Sequence, residues 1–429
     1  MSQKFACRSG IAKSNILLIV VFVVGQLTVT RTMFAQDWTK RFTAPPVAYW
    51  SAIASSSDGT KLIALGNFSP TGASAVYTST NAGITWRSNS APFAILSSVA
   101  SSADGTQLVA GASTGTIWIS TNSGAAWIAA ANVPRMNWSS VASSDDGVKL
   151  TAAAVSDQVL TFTNGESFPP LPVAVPGNGF IYTSTNSGLD WTSNTIVPGG
   201  WSCVISSEDG NQLYASGGFN GIYHSTNAGA NWLAVSSPLN YAVSIAGSAD
   251  GSRLFATGFD AVSDYIWATS TNWGQTWSTN IAPPQPTGGY GWRSITSSRD
   301  GTKLAAADYH TPVYSSTDSG ISWTTNNAPD EDWLSIASSA DGSKLVALAN
   351  FGDIFTWEYQ PVLRIAISPA NVVIFWPDSP FAVGFVLQQN FDLHSTSWTN
   401  VAAFVSDDGT NHSVTLGLRD GPIFFRLKK

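Results

Sequence analysis

One pattern recurs through this chain: an Asp-Gly pair with a leucine four residues after the aspartate. It occurs seven times, at Asp58/Leu62, Asp104/Leu108, Asp146/Leu150, Asp209/Leu213, Asp250/Leu254, Asp300/Leu304 and Asp341/Leu345, at intervals of 41 to 63 residues. Self-similarity at such a period belongs to repeat architectures, in which each unit buries its apolar face only against its neighbours. Each pair follows an alternating stretch such as Trp50-Ser-Ala-Ile53 or Trp333-Leu-Ser-Ile336. Period-two alternation that ends in a polar Asp-Gly cluster predicts a strand entering a hairpin turn, so every unit opens with two strands, a and b.

A second motif, Ser-Thr-Asn/Asp-x-Gly-x-x-Trp, follows in six of the seven units, over residues 79–86, 120–127, 184–191, 225–232, 270–277 and 316–323. Its Asn or Asp side chain is expected to accept from the backbone two residues on, its Gly to supply positive φ, and its Trp to pack back over the turn. This is a hairpin between two further strands, c and d. Four short strands per unit predict an all-β fold, a seven-bladed β-propeller over residues 37–360, and exclude coiled coils and α/β folds. The seventh unit lacks the second motif where it is due, near Trp357. Its d strand is found at the other end of the sequence: Trp38 precedes Asp58 by 20 residues, within the 18 to 23 separating the other motif tryptophans from the next turn. The N-terminus is therefore predicted to close the ring, with residues 37–42 pairing with residues 354–359 and removing the open edges a linear array would leave.

The flanks read differently. Lys4, Arg8 and Lys13 precede the apolar residues 16–24, and the small residue Ala35 follows a polar stretch, the order of a secretory signal peptide over residues 1–35. The expected location is secreted, at the cell surface or periplasmic, with no membrane insertion of the mature chain. Residues 361–429 carry strand-like runs at 372–376, 381–388, 398–404, 412–418 and 423–427, which predict a small C-terminal β-sandwich-like domain. Only Cys7 and Cys203 are present, so loss of the leader leaves no partner for a disulfide. With 20 basic against 27 acidic residues, a net charge of −7, the chain offers no field for nucleic acid. A monomer is expected.

In a propeller the a–b and c–d turns share one face, here called the bottom, and the b–c and d–a loops share the top. The aspartate-to-serine spacing between the two motifs is 16 in blades two, four and six, but 21, 38 and 20 in blades one, three and five. The extra residues fall in top loops, including the blade-three insert over residues 154–179 and a d–a extension over 283–290 that ends at Tyr290. Irregular loops on a regular scaffold concentrate binding. Strand a starts at the top, and its first residue is Trp in five units: Trp50, Trp138, Trp201, Trp292 and Trp333. These rings are candidates for stacking on sugars, or for wedging between blades; recurrence in every repeat is what packing requires. Acidic residues placed to reach the top are Asp157, Glu166, Asp260, Asp264, Asp308 and the run Asp330-Glu331-Asp332. Two of them flanking one bond would serve glycoside hydrolysis; solvated loop charge is the plainer use. Gly111-Ala112-Ser113-Thr114-Gly115 matches a nucleophile elbow, but no helix follows. The four histidines lack metal-ligand spacing, and no cofactor or metal motif is present.

The c–d motif resembles the Asp box, or BNR repeat, Ser-x-Asp-x-Gly-x-Thr-Trp, of the sialidase-like superfamily. Here the acidic position is Asn in five copies and Asp only at Asp318, which keeps the turn role and weakens any metal or catalytic one. The resemblance spans several functions. Sialidases clamp a carboxylate with arginines, but their Phe/Tyr-Arg-Ile-Pro motif is missing, they have six blades, and only Arg41, Arg135 and Arg293 lie near the top. Xyloglucanase-like hydrolases use two propellers, and sortilin-type receptors use ten blades and disulfides. The seven-bladed photosystem II assembly-factor type is closest in size and blade pattern, and the C-terminal ending Phe-Phe-Arg-Leu resembles modules appended to secreted bacterial proteins. The expected function is a secreted, non-catalytic binding propeller that recognises an extracellular glycan or protein through its top loops, with a glycoside hydrolase of the Asp-box type as the alternative.

Overall fold

The computed structural model describes residues 18–23, 26–31, 38–43, 48–68, 73–91, 94–113, 115–156, 180–194, 200–217, 221–260, 265–280, 293–309, 311–350, 352–359, 363–367, 371–377, 385–392, 397–409, 411–417 and 423–428. The chain divides into two compact units, Asp37–Glu358 in one and Met1–Gln36 with Tyr359–Lys429 in the other. All regular elements among the described residues are β-strands.

Among the described residues the larger unit holds seven four-stranded antiparallel sheets. Blade two shows the plan: strand a is Leu96–Ser101, b is Leu108–Ala112, c is Ile117–Ser120 and d is Ile128–Ala129. Strand b is buried along its whole length, because blades cover both of its faces, and it reads as an unbroken run of apolar and small residues. Strand d is outermost and exposed, and needs only two or three residues. Blade seven takes Trp333–Ser338, Lys344–Ala349 and Asp353–Glu358 in order, and its fourth strand is Thr39–Thr43 from the N-terminus. The register is Thr39↔Thr356, Lys40↔Phe355, Phe42↔Ile354 and Thr43↔Asp353, with an irregularity between Lys40 and Phe42.

The residue before each turn aspartate joins its blade to the next. Ser57 N–H donates to Ala103 O, Ala103 to Asp145, Asp145 to Glu208, Glu208 to Ala249, Ala249 to Arg299, Arg299 to Ala340, and Ala340 to Ser57, at 2.6–2.8 Å. The circuit returns to its start, so blades seven and one are neighbours like any other pair. Side chains reinforce it: Lys61 Nζ donates to Asp104 O, Lys149 to Asp209 O, Lys303 to Asp341 O and Lys344 to Asp58 O. The turn glycines admit these neighbours. Gly147 has φ +71°, and a Cβ there would lie 2.5 Å from Gln107 Cβ of the preceding blade.

The turn chemistry differs in one respect from expectation. The bond to the backbone two residues on belongs to the a–b turn, where Asp58 Oδ1 accepts from Thr60 N–H and Ser56 Oγ–H. In the c–d turn the Asn reaches four residues on: Asn81 Oδ1 accepts from Thr85 N–H at 2.9 Å, and Asn122 Oδ1 from Ala126 N–H at 2.8 Å. The cause is two consecutive residues with positive φ, Ala82 and Gly83 in blade one, which curl the chain back on itself. The Trp does pack back over the turn, its indole N–H donating to the motif Gly carbonyl for Trp191, Trp232, Trp277 and Trp323. The two turns of a blade share a face, as Ala82 N–H donates to Thr60 O, with equivalents in blades two to six.

These bonds make the bottom face acid-sensitive. Hydrogen bonds from the Ser102, Ser144 and Ser207 hydroxyls, then from backbone N–H groups, hold the carboxyls of Asp104, Asp146 and Asp209 below their ordinary value of 3.8, Asp104 at about 2. A carboxyl depressed in the folded state stabilises it fully above the unfolded value and loses that contribution as pH falls through the folded one. The melting temperature is expected to hold above pH ~4 and to fall between ~4 and ~2, as calorimetry across that range would show; a flat profile would remove the turn carboxylates from the stability account.

The second unit contains two antiparallel sheets. One orders Arg364–Ile367, Asn371–Pro377, Asn411–Gly417 and Ser406–Asp407. The other orders Gln26–Arg31, Leu18–Val23, Ile423–Lys428, Val386–Asn390 and Thr399–Asn400. Strand Arg364–Ile367 was not foreseen, and the run at 398–404 is strand only over Thr399–Asn400. Residues 18–23, inside the apolar run assigned to an export signal, are here a strand.

Candidate functional site

The top face of blades six and seven gathers a charged cluster. Arg293 precedes strand a of blade six, Ser294–Ser297, and its backbone N–H donates to Ala307 O at 3.2 Å. Its guanidinium lies over the Tyr309 ring, 3.9 Å from the centroid. Asp308 and Tyr309 leave strand b, Leu304–Ala307, and are buried, Asp308 to 1% exposure. Thr311 Oγ–H donates to Asp308 O, Thr311 pairs with Glu331 as an isolated bridge, and Trp333 Nε1–H donates to Thr311 O at 3.0 Å. Asp330 is exposed, Glu331 and Asp332 are half-buried, and Asp332 O accepts from Asn350 N–H. From strand d of blade seven, Lys40 pairs with Asp353.

The electrostatics are mutual. Burial pulls the Arg293 pKa down, opposed by Tyr309, Asp308 and Asp332, so that the carboxylates keep a desolvated guanidinium charged. Burial pushes Tyr309 up, which Arg293 opposes, and pushes Glu331 up with Asp353 adding to it. Arg293 Nε is buried without a hydrogen-bond acceptor among the described residues. Five carboxylates (Asp308, Asp330, Glu331, Asp332, Asp353) face two cations (Arg293, Lys40), which leaves the patch negative. Lys40, Asp353 and Tyr309 went unforeseen, because the closing strand and the blade-six loop meet only in the folded ring.

The strand-a tryptophans are placed elsewhere. Trp50 is 4% exposed, and Trp138, Trp201 and Trp333 are fully buried. Trp50 packs with Val346, Leu348 and Ile354 of blade seven, Trp138 with Val109 and Ile117 of blade two, and Trp201 with Ala153 and Ile181 of blade three. They wedge between blades and present no ring face to a solute. In three of these blades the physical cause is a register irregularity directly after the tryptophan, between Trp50 and Ala52, between Trp138 and Ser140 and between Trp333 and Ser335; the same irregularity follows Leu96 in blade two and Ala242 in blade five. It turns the indole into the sheet interface. Asp260 is half-buried at the end of strand b of blade five. Trp292, Tyr290 and Asp264 lie outside the described residues, as do Asp157, Glu166 and the blade-three insert.

On the bottom face a cavity of about 180 Å³ is lined by the serines flanking the a–b turns, with Asp145, Glu208 and Arg299 at its edge. Arg299 reaches from blade six to Asp145 of blade three and Glu208 of blade four. All three side chains are well exposed, so the bridge contributes little to stability. Among the described residues no group of three or more His, Cys, Asp or Glu is placed to hold a metal ion.

Seven antiparallel four-stranded sheets in one hydrogen-bonded ring define the chain as a seven-bladed β-propeller. No family model and no curated protein matches the sequence. Among solved structures it is similar to YCF48 from Cyanidioschyzon merolae, at 14% identity and a TM-score of 0.53, over 75% of this chain and 98% of that one. A second similar structure is YCF48 bound to D1 peptide, at 13% identity and a TM-score of 0.54, over 76% of this chain and 98% of that one. At these identities the likeness is one of fold.

Proposed function

We propose that this is an exported binding propeller without catalysis, which holds a basic segment of a protein partner on the top face of blades six and seven. The observation that carries the reading is the Arg293–Tyr309 stack set among Asp308, Asp330, Glu331, Asp332 and Asp353. Exposed Asp330 and half-buried Glu331 and Asp332 supply a negative rim, while Arg293 and Tyr309 form a rigid floor. Complementary charge of this kind sets orientation and partner choice. Asp308 is sealed beneath the cluster and is a poor general acid or base for a bond in solution, which counts against hydrolysis. Burial of four of the strand-a tryptophans counts against a glycan stacked on them. A propeller of this fold with a bound peptide gives the reading a structural precedent. Export rests on residues 1–35, with the mature chain starting after Ala35.

The full chain displayed against a random peptide library is expected to enrich Lys- and Arg-containing segments. Asp330→Asn with Glu331→Gln should weaken the selected peptides at least tenfold, and so should raised salt. No basic enrichment, or equal binding by the double variant, would sink the site. Cleavage of a glycan by the purified protein would replace the reading with the hydrolase.

A further inference from the structure

Strand Ile423–Lys428 lies between two partners. On one side it pairs with Val386–Asn390 through five residue pairs, from Val386↔Lys428 to Asn390↔Phe424. On the other side it pairs antiparallel with the N-terminal strand through Leu18↔Phe425, Ile19↔Phe424 and Val20↔Ile423. That N-terminal strand, Leu-Ile-Val-Val-Phe-Val, is uncharged and rich in β-branched residues, and it is covered in turn by Gln26–Arg31 over six pairs. The same residues form the apolar centre of the export signal. The two uses exclude each other, since a leader removed after Ala35 takes both strands with it. The finished protein is then left with one side of Ile423–Phe425 bare, and an open strand edge is a template for another strand.

We infer that this edge is a strand-acceptor site of the exported protein, which takes an extended, uncharged, β-branched segment of a partner protein in the antiparallel place that Leu18–Val20 holds before processing. The inference rests on the export reading. Main-chain hydrogen bonds supply the attraction in such an addition, and alternate side chains supply the selectivity. The segment already seated there shows which chemistry the edge accepts, and processing decides when the edge becomes free.

The test uses the full chain with a protease recognition sequence in place of residues 32–36, cut after folding, and a labelled peptide of residues 16–31 as the probe. The labelled peptide is expected to exchange into the cut protein, with amide protection gained within residues 423–425. The peptide carrying Ile19→Pro and Val20→Pro should bind at least tenfold more weakly, because proline removes the N–H groups a ladder needs. Failure of exchange, equal binding by the proline peptide, or binding without protection at 423–425 would overturn the acceptor edge. Pairing of the cut chain with a second copy of itself, with the same protection and no peptide capture, would overturn the choice of a foreign strand. Export is read separately, by fractionation and N-terminal sequencing of the protein from expressing cells. Exchange in vitro together with an intact N-terminus in cells would sink the export reading instead.

Discussion

A chain that starts at residue 44 is expected to melt on the order of 5 °C or more below one that starts at residue 37. Both lack the hairpin at 18–31, so the difference reports only the strand Thr39–Thr43 and its neighbour Trp38. Trp38 is buried, its ring centroid 5.7 Å from that of Trp333, and loss of a buried tryptophan costs about 3 to 5 kcal/mol. The deletion also removes the pairs to Asp353–Glu358, the bond from Arg41 Nε to Thr356 Oγ1 and the Lys40–Asp353 ion pair. A loss of this size shifts the midpoint of a large domain by a few degrees per ~2 kcal/mol. The exposed edge should also appear as new proteolysis near Asp353–Glu358 and as concentration-dependent association. Equal melting of the two chains by calorimetry would mean that the N-terminal strand is not needed to hold the ring.

The second large effect separates packing from recognition. Trp138→Ala should destabilise by about 3 to 5 kcal/mol, because it leaves a cavity between blades two and three and frees Gly115 O from its bond to the indole N–H. Affinity for a top-face peptide, measured well below the melting range, should change little. Asp330→Asn with Glu331→Gln should do the reverse, since Asp330 is exposed, Glu331 is only half-buried, and the near-isosteric amides leave no cavity. Loss of binding in Trp138→Ala at unchanged stability would return the strand-a tryptophans to the ligand site.

Burial of those tryptophans was half legible in the sequence. Trp50 and Ile53 are three residues apart, a spacing that strict alternation would put on opposite faces of a strand. They share one core cluster in the structure. The extra residue between them, Ser51, is absorbed at the register irregularity, and its hydroxyl donates to Leu65 O. The equivalents Ser97 and Ser139 donate also to the carbonyls of Trp138 and Trp201 in the following blades. The threefold spacing is thus the sequence trace of a bulge, readable once the bulge is known and ambiguous before.

What the sequence determined by itself was everything that repeats. Seven Asp-Gly turns, six Ser-Thr-Asn/Asp turns and one displaced Trp38 fix the number of blades, their strand order and the origin of the closing strand, because those are local turn and pairing rules applied seven times over. What only the tertiary structure decided was everything that occurs once. Arg293, Tyr309, Asp332 and Asp353 come from four separate segments of blades six and seven and Lys40 from the first strand of the ring, up to 313 residues apart between Lys40 and Asp353. Arg293 and Asp332 could be placed near the top from the sequence, but no local pattern joins them to Tyr309, Asp353 and Lys40, since their shared environment of burial and opposing charge exists only after the last blade has met the first.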